Sequence, residues 1–166
     1  MTVEGTLAKV DEDLRTGDVE MARTRLKSLV LSLPTRLEPR ERLAEVYRLD
    51  GNLVEAGRWS YLSAHQDRAE IDAFERACGR DPVRIMRGLR WRGPEELAAT
   101  ELAQMRLLDV RARAEAAAGK TLDWSDRGRD VSEPWAGASA FGCAVLALVV
   151  FGLLVVGVVT VFDWIV

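Results

Sequence analysis

From Val3 to Ala118 the apolar positions recur every three or four residues, the period of an amphipathic helix, and they predict helices over about 3–15, 18–32, 38–49 and 52–65. A fifth helix is expected from Asp67 to Cys78, closed by Gly79, with Ile71 and Phe74 inward. After Asp81 a short helix fits, with Ile85, Met86 and Leu89 inward and Arg84, Arg87 and Arg90 outward. Pro94-Glu95-Glu96 then predicts the start of a long helix ending at Gly119, with proline in its first turn and acids at its positive end. Its apolar face is rich in Leu97, Leu102, Met105, Leu107, Leu108 and Val110, then thins to alanines whose last turns are expected to face solvent. The stretch from Lys120 to Pro134 is polar and rich in Gly, Ser and Asp, which predicts a flexible stalk.

Beyond the stalk the pattern loses all polarity. Trp135 to Phe162 is 28 residues without a charge, more than the roughly 20 needed to cross a bilayer core. A helix apolar on every face is too large for a core of this size to enclose, so a single transmembrane helix is expected over 135–164. Trp135 and Trp164 would sit as interfacial anchors at its two ends. Ala136, Ala140 and Ala144, with Gly142 beside them, form a small-residue face on which another membrane helix can pack. Lys120, Arg127 and Arg129 precede the run and no Lys or Arg follows it, so the positive-inside rule puts the amino-terminal part in the cytoplasm and the short carboxy terminus outside the cell membrane. The polar, acidic amino terminus does not read as a signal peptide.

Two segments within the helical part repeat. Gly17-Asp18-Val19-Glu20-Met21-Ala22 and Gly51-Asn52-Leu53-Val54-Glu55-Ala56 share a Gly, a small polar residue, an aliphatic and a later Ala, and their glycines are 34 residues apart. The glycine closes one helix in a left-handed conformation and the Asp or Asn caps the next. This period, with Pro34 and with Leu43, Ala44 and Tyr47, resembles a degenerate pair of tetratricopeptide repeats, helix-turn-helix units. Lys9, Asp13 and Arg68 depart from that pattern. The resemblance implies that the first helix of each unit lines a concave, protein-binding groove. Carried over, the groove positions are Glu4, Leu7, Asp11 and Leu14 from one unit and Glu38, Glu41, Glu45 and Arg48 from the other. Such a surface is acidic with apolar patches and suits a basic or mixed peptide.

Charge sharpens this picture more than it changes it. All 23 basic residues and 25 of the 26 acids precede Trp135. The largest local excess is Arg80, Arg84, Arg87, Arg90 and Arg92 against Asp81 alone, a basic patch that anionic lipid at a membrane surface would attract. Pairing with Glu95, Glu96 and Glu101 is the simpler expectation for it. Nucleic acid is the weaker partner, because the charged part is slightly acidic overall and carries no known binding motif. Chemistry is sparse. His65 is the sole histidine, which leaves no multi-histidine metal site and no triad; Gly88 and Gly93 lack the strand and Lys-Ser or Lys-Thr of a phosphate loop. Cys78 and Cys143 are too few for a disulfide scaffold. No enzyme activity, metal or cofactor is expected.

The runs Arg40 to Gly51, Ala56 to Leu62, Phe74-Glu75-Arg76 and Arg90 to Glu96 resemble a family of short actinobacterial proteins of unassigned function, and 20 Arg against 3 Lys suits a GC-rich genome. That resemblance implies one folded unit from about residue 3 to 118 and no activity. The expected architecture is all-α: tetratricopeptide-like hairpins plus a long helix over 1–118, a stalk over 119–134 and one carboxy-terminal membrane helix. The function expected of it is a membrane-tethered adaptor or accessory subunit, whose partners are other subunits of a membrane complex or a cytoplasmic protein or peptide. The alternative is a membrane-surface regulator that binds anionic lipid or nucleic acid through the Arg80–Arg92 stretch.

Overall fold

The helix starts follow from their capping residues. In the structure, a computed structural model that describes residues 2–125, the Thr2 hydroxyl accepts from the Gly5 amide and opens α1 (Val3–Arg15). Asp18 accepts from the Met21 amide at 3.0 Å at the head of α2 (Val19–Ser32). Asn52 does the same for the Glu55 amide at 3.1 Å at the head of α4 (Leu53–Ser60). Each satisfies a backbone donor that the first helical turn leaves without a partner. Gly17 and Gly51 precede these caps with φ of +84° and +67°, the left-handed region that a side chain disfavours. The second hairpin opens with α3 (Glu38–Leu49), which has Pro39 in its first turn.

The second half consists of α5 (Arg68–Ala77), α6 (Pro82–Gly88), a single 3-10 turn at Glu95–Leu97 and α7 (Glu101–Ala118). All regular structure among the described residues is helical. Successive helices pack in pairs, α1 on α2, α2 on α3, α3 on α4, α4 on α5 and α6 on α7. Two apolar cores result. One is built by α1 to α4 around Val10, Leu26, Leu43, Tyr47 and Trp59; the other lies under α5 to α7 around Phe74, Leu89, Trp91, Leu107 and Val110.

Helices α4 and α5 approach closely at Gly57. A Cβ there would fall well inside van der Waals contact with the Glu70 carbonyl, so α5 lies directly on the backbone of α4. Helix α4 also stops at Ser60, short of the expected residue 65. The carbonyl groups of Tyr61 and Ser63 accept from the Arg106 guanidinium of α7, and Tyr61 also accepts from Gln66, so these groups leave the helical ladder. Tyr61, Leu62 and Ser63 are all buried.

The long helix begins later than expected. Glu95 and Ala98 turn inward, only 2 % and 3 % exposed, and Ala98 is extended. Thr100 then caps α7 by accepting from the Ala103 amide at 3.2 Å, and the helix ends at Gly119 as its sequence indicates. The last turns are not uniformly exposed, for Ala114 is fully buried while Ala116 and Ala117 face solvent. Nor does a stalk begin at 119, since Leu122 is half-buried and Trp124 is buried against the second core. No described helix is long and apolar enough to cross a membrane. The expected span over 135–164, with Trp135, Trp164, Ala136, Ala140, Gly142 and Ala144, lies outside the described residues.

Candidate functional site

The expected groove residues divide into three kinds. Leu7 and Leu14 of α1 are half-buried against the first core, so they support packing as much as they offer contact area. Asp11 forms an ion pair with Arg42 of α3, which also lies 3.6 Å from Glu45. One arginine thus offsets two of the acids that made this face look strongly negative, and its place one turn before Glu45 on α3 was the signal for it. Arg48 grips Glu70 of α5 with two hydrogen bonds of 2.6 and 2.9 Å. That carboxylate is buried and also accepts from Ser60, at 3.2 Å. The bond to Glu70 raises the Arg48 pKa above its ordinary value, and Arg48 is a strut between α3 and α5. Glu4, Glu38 and Glu41 make no ion pair among the described residues. With Glu38 and Glu41 one helical turn apart, they are the acids this face retains for a partner.

The basic stretch is more neutralised than its sequence implies. Arg80 pairs with Asp72 at 2.6 Å and Arg84 approaches Asp81 at 3.8 Å. The expected acceptor Glu95 is instead buried beneath α7. It accepts from the Trp124 indole at 2.7 Å and forms an ion pair with Arg111 at 3.0 Å. Arg87 and Arg92 are exposed and make no ion pair among the described residues. Arg90 has a left-handed backbone, φ +50°, and its carbonyl accepts from Arg40.

Arg40 is the residue that sequence reasoning missed most completely. It is 1 % exposed, and its guanidinium lies over the indole rings of Trp59 and Trp91, 5.4 and 5.5 Å from their centroids. It donates to the carbonyl groups of Leu89 and Arg90 at 2.9 Å each. Burial pushes its pKa down to about 10, which still leaves it charged at neutral pH. Trp59 belongs to the first core and Trp91 to the second, so this cation joins the two.

Chemistry-bearing groups remain scattered. His65 is exposed in the loop after α4, and no group of three metal-ligating side chains occurs among the described residues. Burial pushes the half-buried Cys78 thiol above its ordinary pKa, the opposite of what activates a nucleophile. What the described residues present is therefore surface: the α1/α3 face with its acids and the two exposed arginines around α6.

No curated protein and no solved structure matches the chain. A family model does, over residues 1–163, and it embraces the helical residues and the apolar run alike. On that match the chain belongs to the family of unknown function DUF6584.

Proposed function

We propose that this chain is a membrane-tethered, tetratricopeptide-like adaptor or accessory subunit of a larger membrane protein complex. The observation that carries the reading is the joining, in 166 residues, of a well-packed helical unit to a 28-residue uncharged run flanked by tryptophans. Anchoring such a unit raises its effective concentration for partners at the membrane without adding contacts. Support for the repeat comes from the two hairpins. Gly17 and Gly51 share positive φ, Asp18 and Asn52 share one capping bond, and the spacing is 34 residues. In this reading the amino-terminal unit is cytoplasmic, and Ala136, Ala140, Gly142 and Ala144 pack on a neighbouring membrane helix. The partner's basic or mixed segment meets Glu4, Glu38 and Glu41. The alternative reading through the arginine stretch is weakened by the pairing of Arg80 and Arg84, which leaves fewer charges for lipid or nucleic acid.

Mild-detergent purification of the tagged full chain at native abundance tests the proposal. Membrane subunits should co-purify, survive moderate salt, and be lost on Glu38→Lys with Glu41→Lys. Recovery of the bare chain, or binding that instead disappears with Arg87→Ala and at modest salt, overturns it.

A further inference from the structure

The outward face of α7 is apolar although the inward face already fills the second core. Leu107, Val110 and Ala114 point in, buried. On the opposite side Met105 is 54 % and Leu108 is 45 % exposed, with Ala112 and Ala116 exposed beyond them. The spacing of three and four residues sets these side chains in one stripe. The stripe is graded, with two large residues toward the start of the helix and two small ones toward its end.

We propose that this stripe is a self-association face, on which a second copy of the chain docks with its α7 antiparallel. That orientation sets Leu108 against the partner's Ala112 and Met105 against the partner's Ala116, large on small twice over by symmetry. Small residues let two helices approach to about 8 Å. The charges agree. Glu101 at the start of α7 and Lys120 just past its end are exposed and form no ion pair among the described residues. In the antiparallel register each meets the other's counterpart across the two-fold axis, and the helix dipoles oppose favourably. A parallel pair would instead put Glu101 beside the partner's Glu101 and Ala112 on the partner's Ala112, which repels at one end and leaves a gap in the middle. One helix face is small beside the roughly 1,200 Å² of a stable dimer. The association therefore draws on a shared membrane anchor, and in that respect it rests on the anchoring proposed above.

Carbodiimide coupling, which joins a carboxylate to a lysine with no spacer, provides the test. Within one chain Glu101 and Lys120 lie about 28 Å apart along α7, so a direct cross-link between them must be intermolecular. The full chain is treated in its native membrane and the cross-linked peptides are identified by mass spectrometry. A Glu101–Lys120 link is expected in the dimer band. Ala112→Glu should abolish it while leaving helicity unchanged, and the swap of Glu101→Lys with Lys120→Glu should retain a link between the same positions. Absence of the link from a chain that sediments with membrane overturns the dimer and leaves the anchoring intact. A chain that stays in the supernatant overturns the anchoring, and the same coupling at high protein concentration then decides the dimer by presence or absence of the link.

Discussion

The Arg40 guanidinium lies over the Trp91 ring, 5.5 Å from its centre, and over the Trp59 ring at 5.4 Å. No carboxylate among the described residues pairs with it, so its charge is balanced by two π faces and by the carbonyl oxygens of Leu89, Arg90 and, at 3.4 Å, Pro34. Truncation removes both the packing and the donors. Arg40→Ala should destabilise the chain by about 3–5 kcal/mol, because buried carbonyl groups lose their partners and a cavity opens beside the indoles. Arg40→Lys should recover only part of that loss, since one ammonium cannot bridge both carbonyl groups with the geometry of a planar fork. Urea midpoints followed by tryptophan fluorescence measure it. A shift of Arg40→Ala worth under about 1 kcal/mol would refute its role in joining the two cores.

Gly57 provides a second, purely steric expectation. Its added Cβ would collide with the backbone carbonyl of Glu70, which no rotamer change can relieve. Gly57→Ala should therefore lower stability by about 3 kcal/mol or more, despite alanine's better helix propensity. At a helix position with open space the same substitution would stabilise by up to about 1 kcal/mol. The sign of the change in thermal midpoint is the readout.

Local structure was the part written most openly in the chain. The starts of α1 and α3, and the Gly17 and Gly51 turns with their caps, follow from residues within four positions of each other. The start of α7 was misplaced, because Pro94 and two glutamates give a helix-start signal upstream of Thr100, which caps the helix. Long-range relations were hidden. An arginine in a helix ordinarily lies in solvent, and nothing near Arg40 in sequence announces that Leu89 and Arg90, about fifty residues away, present carbonyl groups to it. Glu95 was expected at a helix terminus for the same reason, whereas its real partners come from residues 111 and 124. Of the proposed groove, position on α1 and α3 was legible, but the neutralising role of Arg42 and the structural role of Arg48 depended on which helices pack together.

The bond between Glu95 and Trp124 holds the segment after α7 against the helical unit. Glu95 is 2 % exposed, and the Leu122 amide donates to Glu115 at 2.9 Å, so residues 122–124 are latched to α7 through Glu115 and to the 3-10 turn through Glu95. Trp124→Phe keeps an aromatic ring, though a smaller one, and removes the indole donor, and should weaken the latch by about 1.5–3 kcal/mol, the range for a bond to a charged group. Because Lys120 lies at the edge of this segment, trypsin cleavage after it should accelerate by roughly tenfold or more as local opening becomes easier. Unchanged cleavage would show that the segment is held by other contacts.

Tyr61 makes the stability depend on pH in a defined direction. Its ring packs edge-on against Phe74 at 5.8 Å, and its hydroxyl donates to Glu75 at 2.8 Å while accepting from Arg113 at 3.3 Å. Burial, opposed by the Arg113 bond and reinforced by Glu75, raises the phenol pKa above its ordinary value. Below about pH 10 both the folded and the unfolded chain keep the proton, and the contribution of Tyr61 is complete. As pH rises through that value the unfolded chain releases its proton first, which favours unfolding, and the contribution is lost once pH passes the folded value. Near neutrality Tyr61→Phe should cost about 1 kcal/mol. The difference between wild type and Tyr61→Phe should then shrink as pH rises past about 10, where other alkaline titrations cancel between the two proteins. A difference that stays constant over that range would mean that the hydroxyl titrates alike in both states and that its buried bond to Glu75 does not persist in solution.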